Sequence, residues 1–141
     1  MPAPIRDLAV LLANMQPILR DGTFGFCSIP HGKPIPSDLT PLLSFVEDEG
    51  TTLVVPLDQT RANGIECQFP SRMITLNINS ALDAVGLLAA ITTRLAAAGI
   101  SANAVSAFHH DHIFVPINRA ADAMQILSGP HVHSYEEQKH R

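Results

Sequence analysis

Three runs in this chain hold side chains able to do chemistry: His109-His110-Asp111-His112, Glu47-Asp48-Glu49, and Asn79 to Gly86, which reads NSALDAVG. The first suggests a metal. In an extended chain, however, His110 and His112 point one way and His109 and Asp111 the other, so only a pair of imidazoles converges. A structural zinc site wants about four protein ligands and a catalytic one about three, and no other Cys or His falls at matching spacing. A polar turn making local hydrogen bonds accounts for the run more simply, and no metal ligand is assigned; a metal-binding hydrolase built on it is the remote alternative. His131 and His133 fit a surface tail. The consecutive acids at 47–49 need not face one pocket, so a solvated turn is preferred to an acid-base pair. Neither a G-x-S-x-G elbow, a Cys-His pair nor a phosphate-binding glycine loop is present. Hence no catalytic residue and no cofactor is assigned, and the chain is read as non-enzymatic.

The third run is where a ligand is expected. Met73 to Asn79 alternates, with Ile74, Leu76 and Ile78 on one face and Met73, Thr75, Asn77 and Asn79 on the other, the pattern of a half-buried strand. A helix is expected at once, with Ser80 as N-cap and Asp83 three residues on, its apolar face formed by Ala84, Leu87, Leu88, Ile91 and Leu95, and its end at Gly99. A strand end meeting a helix N-terminus leaves backbone N–H groups, here Val85 to Leu87, at the positive end of the helix dipole, where a carboxylate or phosphate can bind. The Asp83 carboxylate and nearby Asn side chains would accept from an ammonium group. Capping alone, worth about 1 kcal/mol, is the competing role of Ser80 and Asp83. Gly86, placed in the first turns of that helix, costs about 1 kcal/mol against alanine, which either close approach to a ligand or close packing must offset. Asn103 either orients a ligand or satisfies loop backbone.

Around this run the elements follow in order. Ile5, Leu8, Leu11, Leu12 and Met15 mark an amphipathic helix that Pro17 ends; Thr23–Ile29 reads as a strand; residues 30–41 hold four prolines and should be a loop. Leu42–Val46 and Thr51–Val55 flank the acidic turn, then come a short helix over Asp58–Asn63, a strand over Ile65–Phe69 and a subdomain boundary at Pro70. Beyond the junction helix, Asn103–Phe108 and Ile113–Val115 are strands, Asn118 opens a helix over Arg119–Leu127 that Gly129 and Pro130 close, His131–Ser134 adds a short strand, and 135–141 is a tail.

Composition narrows the classes. With 141 residues, 46% hydrophobic, the chain is too apolar to be largely disordered. A net charge of −4 with only 9 Lys and Arg gives no basic footprint for nucleic acid. The most apolar run, Ala84 to Ile91, is too short to span a bilayer, and MPAPIRDLAV has no secretory-signal pattern, so a cytoplasmic protein is expected. Cys27 and Cys67 read as buried hydrophobes rather than a bridge.

The halves echo each other. LSFVEDEGTTLVVPLDQTRA from Leu43 runs alongside NAVSAFHHDHIFVPINRAAD from Asn103: strand, polar turn, apolar strand ending Val-Pro (Val55-Pro56, Val115-Pro116), an aliphatic residue, then Asp58 or Asn118 as N-cap. The first half has lost its crossover helix to the proline loop and the second has a meagre last strand, defects that the other half or another chain could repair. A homodimer is therefore expected.

The βαββαβ order, the entry NSALDAVGLLAAITTRLAAAGI with its early Gly86, the strand SANAVSA, and the EGTTLVVP and HDHIFVP segments resemble the ACT domain, and the pair is similar to the regulatory region of aspartate kinase. The resemblance covers about residues 5 to 128. It implies an α+β fold of two ferredoxin-like βαββαβ subdomains, with antiparallel sheets and helices on one face: residues 1–70 degenerate, 71–134 more complete, 135–141 a tail. It further implies a regulatory or sensor protein binding an amino acid or similar small metabolite at an ACT-ACT interface, through Asn79, Ser80, Leu82, Asp83, Val85 and Gly86 with Asn103, Ala104 and Val105 on the next strand. An assembly module without a ligand is the alternative.

Overall fold

The computed structural model describes residues 3–129. They form two compact units, a continuous one of residues 21–72 and a split one of residues 3–20 and 73–129. By compactness, residues 3–20 group with residues 73–129. The expected strand at His131–Ser134 and the tail lie outside the described residues.

The split unit begins with α1 (Leu8–Asn14), whose first turn is capped by the Asp7 carboxylate accepting from the Val10 N–H at 3.0 Å. A strand that the sequence did not suggest follows, β1 (Gln16–Leu19). Pro17 had looked like a helix breaker only. It sits opposite Leu76 in an antiparallel pairing with β5 (Gln68–Asn77), and β1 has no second strand neighbour among the described residues, an edge position at which a missing N–H is tolerated. The unit continues from β5 through α3 (Leu87–Ala97), β6 (Asn103–Ser106) and β7 (Asp111–Pro116) to a 3-10 turn (Ile117–Arg119) and α4 (Ala120–Leu127). Its strand order is β1-β5-β7-β6, so β6 lies beyond β7 from β5 rather than beside it. The predicted caps moved: Arg119, not Asn118, precedes α4.

Alternation in β5 builds the core as expected. Ile74, Leu76 and Ile78 pack with Ile113 and Val115 of β7 against Leu11 and Leu12 of α1, Leu87, Ile91 and Leu95 of α3 and Ala123 and Leu127 of α4. Burying a side chain of this size fully is worth about 1.5 to 3 kcal/mol.

The continuous unit holds β2 (Phe24–Ile29), β3 (Leu43–Val46), β4 (Thr51–Pro56), α2 (Leu57–Ala62) and the first residues of β5, in the order β5-β2-β4-β3, all antiparallel. Pro56 rather than Asp58 precedes α2. Pro70, read as a boundary, lies inside β5 at an irregularity: Phe26 pairs with Gln68 and Phe24 with Ser71, and Phe69 takes φ +55. Pro70 thus occupies a bulge, where it removes no ladder bond. The proline loop stands where the crossover helix is missing, and Leu39 from it packs with Cys27, Ile29, Leu53 and Val55.

Both units are therefore four-stranded, antiparallel α+β sheets of ferredoxin type. The hairpins echoed in the sequence are both present and closed alike, with Glu47 N–H donating to Gly50 O at 2.8 Å and Ala107 N–H to His110 O at 3.0 Å.

Candidate functional site

The helix expected directly after the strand starts later. Residues 78–86 form an irregular connection and α3 begins at Leu87. Ser80 is not its cap, because a distant segment claims the backbone here: Ile5 N–H donates to Asn79 O at 2.8 Å, Ala81 N–H donates to Ile5 O at 2.8 Å, and Ser80 N–H turns back to Ile78 O at 2.9 Å. Gly86 occupies the N-cap position at φ +106, a left-handed conformation that favours glycine, and a Cβ there would lie 3.0 Å from Leu8 Cδ2. Backbone geometry is the reason for this glycine.

Beside this entry lies a cavity of about 120 Å³, bounded by Ser80 to Leu82, Ala84, the stretch from Gly86 to Ala89, and Ser106, Ala107 and Asp111. The first i→i−4 bond of α3 is donated by Ala90 to Gly86 O at 2.9 Å. The amides of Leu87, Leu88 and Ala89 precede it and find no acceptor among the described residues. They carry the positive end of the helix dipole.

Asp111 borders the same cavity, although the sequence had placed it in a polar turn. The hairpin turn ends at His110, and Asp111 is the first residue of β7, only 7% exposed. Its carboxylate accepts from Ser80 Oγ at 3.5 Å, the outer limit of a hydrogen bond, and no Lys or Arg among the described residues forms an ion pair with it.

The residues singled out from sequence divide into groups. Ser80, Leu82 and Gly86 line the cavity. Asn79 and Asp83, with Leu82 again, line a second, open hollow of about 500 Å³ alongside Arg6, Phe108 and His109. There Asp83 accepts from Arg6 Nε at 2.9 Å, with both side chains largely in solvent. Val85 points outward, 82% exposed. Asn103, Ala104 and Val105 lie on β6 and border neither space. Asp111, Ser106 and the first turn of α3 were missed.

The histidines do something else. His112 Nδ1 lies 3.0 Å from Thr75 Oγ1, which accepts from Arg20 Nε at 3.0 Å. The threonine hydroxyl has a proton to give and a second lone pair, so it can pair with His112 Nδ1 in either neutral tautomer. Burial pushes the His112 pKa below the ordinary histidine value, His110 and Arg20 add to this, and Asp111 opposes it. His109 packs edge-on to Phe108, with ring centroids 4.9 Å apart. Among the described residues no three His, Cys, Asp or Glu side chains are grouped to hold a metal ion. Nor is any helix there long and apolar enough to cross a membrane.

Comparison with known proteins identifies the fold. ACT-domain family models match residues 3–72 and 68–129. A crystal structure of a Vibrio cholerae protein of unknown function, described as a possible transport protein, is 41% identical, with 85% of this chain covering 92% of that one at a TM-score of 0.75. Aspartokinase alpha and beta subunits share the fold at 10% identity, with 79% of this chain, 94% of that chain and a TM-score of 0.56. The regulatory subunit of aspartate kinase from Thermus flavus does so at 11% identity, with 80%, 94% and 0.51. No protein of curated function matches. ACT domains are typically regulatory, ligand-binding modules, and with both of its halves matched this chain belongs to the ACT-domain family, as a tandem pair built like the regulatory part of aspartate kinase.

Proposed function

We propose that this ACT pair is a non-enzymatic sensor that binds an amino acid or similar small metabolite and relays its presence to a regulated partner. One observation carries this reading: a cavity of about 120 Å³ lined by Leu87, Leu88 and Ala89, whose amides have no acceptor among the described residues. A carboxylate placed there would complete the helix end. In this reading Ser80, Leu82 and Gly86 contact the ligand directly. Asn79, Asp83, Val85 and the β6 residues Asn103, Ala104 and Val105 meet an ACT module of a second copy in a cytoplasmic homodimer, closing the site at an ACT-ACT interface.

A ligand that binds only the folded protein raises its stability by RT ln(1 + [L]/Kd), about 2.7 kcal/mol at a hundredfold excess over Kd. A thermal-shift panel of the twenty amino acids at millimolar concentration is expected to yield at least one stabilising compound. A flat panel overturns the sensor. It would favour the second reading, an assembly module, for which the exposed Leu82, Val85 and Phe108 speak.

A further inference from the structure

We infer that Cys27 and Cys67 form a reversible thiol-disulfide site in the continuous unit, closed by a low-molecular-weight disulfide and reopened by thiols. This site is independent of any ligand at the entry to α3. Both residues are free thiols and both belong to one apolar cluster, Cys27 buried in it with Ile29, Leu53 and Val55, and Cys67 packed against it. The strand register brings them together. Phe26 pairs with Gln68 in the antiparallel β2-β5 ladder, so one step further along Cys27 comes opposite Cys67, the residue just before β5. Opposed residues in such a ladder lie about 4.5 to 5.5 Å apart at Cα, inside the span of about 4.4 to 6.8 Å that a disulfide bridges.

A glycine gives the open form its resting place. Cys67 Sγ lies in the notch over Gly25, only 2.8 Å from where a Cβ would stand, and the Thr60 hydroxyl is 3.8 Å from the sulfur. Gly25 and Cys27, two apart on β2, share one face of the strand. The bond forms when a turn about χ1 of Cys67 lifts its sulfur from that notch to the Cys27 side.

Burial sets the order of attack. Cys27 is 5% exposed, whereas Cys67 is partly exposed, and an open hollow of about 540 Å³ is bordered by Cys27 and by Glu66 and Gln68, which flank Cys67. Burial pushes the Cys27 thiol up and the nearby Cys67 adds to this, so Cys67 reacts first. Its thiolate attacks one sulfur of a disulfide RSSR, making a mixed disulfide and releasing one thiolate. The Cys27 thiolate then attacks Cys67 Sγ and expels the second. The protons lost by the two cysteines end on the two leaving thiolates, so two protein thiols are oxidised to one disulfide as RSSR is reduced to two RSH.

The full chain, incubated folded with oxidised glutathione and then alkylated in denaturant, tests this by intact mass. The expected product is a single chain lighter by two hydrogens, with no alkylated cysteine and native circular dichroism, and dithiothreitol should restore both thiols. Cys27→Ser should stop at one glutathione on Cys67, and Cys67→Ser should stay unmodified over the same time. Should either variant fail to fold, the mass of the unaltered chain decides. Two alkylated cysteines, a mixed disulfide that persists on the unaltered chain, or a bridge formed only between chains overturns the inference and leaves the sensor reading untouched.

Discussion

Two polar residues of β7, neighbours in sequence, have opposite fates, and both follow from which face of the strand they occupy. Asp111 turns to the cavity. His112 turns to Thr75 and Arg20, where burial and the guanidinium favour neutral imidazole. Because its folded pKa lies below the unfolded value of about 6.5, the unfolded chain binds the proton first as pH falls. The stability that neutral His112 contributes is complete above about pH 6.5 and is lost as pH drops through the folded pKa. Urea midpoints measured from pH 8 to 5 should show this acid-side loss, and His112→Asn, whose side-chain amide can still pair with the Thr75 hydroxyl, should lack that part of it. Parallel curves for the two proteins would show that His112 titrates alike in both states. Asp111 itself was within reach of the sequence. Matching Glu47–Gly50 to Ala107–His110 assigns it to the first strand position opposite Ser106, out of the turn.

At the level of elements, the entry to α3 is controlled by Gly86. Its φ of +106 costs a residue bearing a Cβ about 1 to 3 kcal/mol, and the added carbon also meets Leu8. Gly86→Ala should therefore lower the urea stability of the full chain by about that amount. It should also reduce the thermal shift given by whichever amino acid stabilises the unaltered protein, since the amides that follow are re-aimed. An unchanged melting curve would mean that the chain reaches α3 by another backbone path. The strands were legible in the sequence because alternation in residues 73–79 and the apolar runs ending Val55-Pro56 and Val115-Pro116 are local signals. The entry was not. Ile5 is far away in sequence, yet its pairing with Asn79 and Ala81 holds residues 78–86 out of the helix, which no window of neighbouring residues can reveal. β1 was hidden for a related reason: Pro17 argues against a strand until its edge position is known.

Over the whole chain, connectivity explains the defect seen in the second half. Its sheet is completed by β1, which precedes the other unit in sequence, so the continuous unit is an insertion within the split one. The ends of that insertion meet. Leu19 pairs with Ile74 and Arg20 N–H donates to Met73 O at 2.9 Å, leaving β1 and β5 as the arms of an antiparallel hairpin whose loop is residues 21–72. Nothing in that pairing depends on the length of the loop. Closing a long loop costs more entropy than closing a short one, by about 0.6 kcal/mol for each doubling. Replacing residues 21–72 with Asn-Gly, the sequence favoured in a two-residue hairpin turn, should yield a folded single ACT unit that retains the Leu76, Ile91 and Val115 core and the Asp111 cavity. It should unfold in one cooperative transition and show the thermal shift of the full chain with the same amino acid. A disordered product would mean that the split unit needs the inserted one to fold, and a folded product without the shift would place the ligand's remaining contacts in the segment removed.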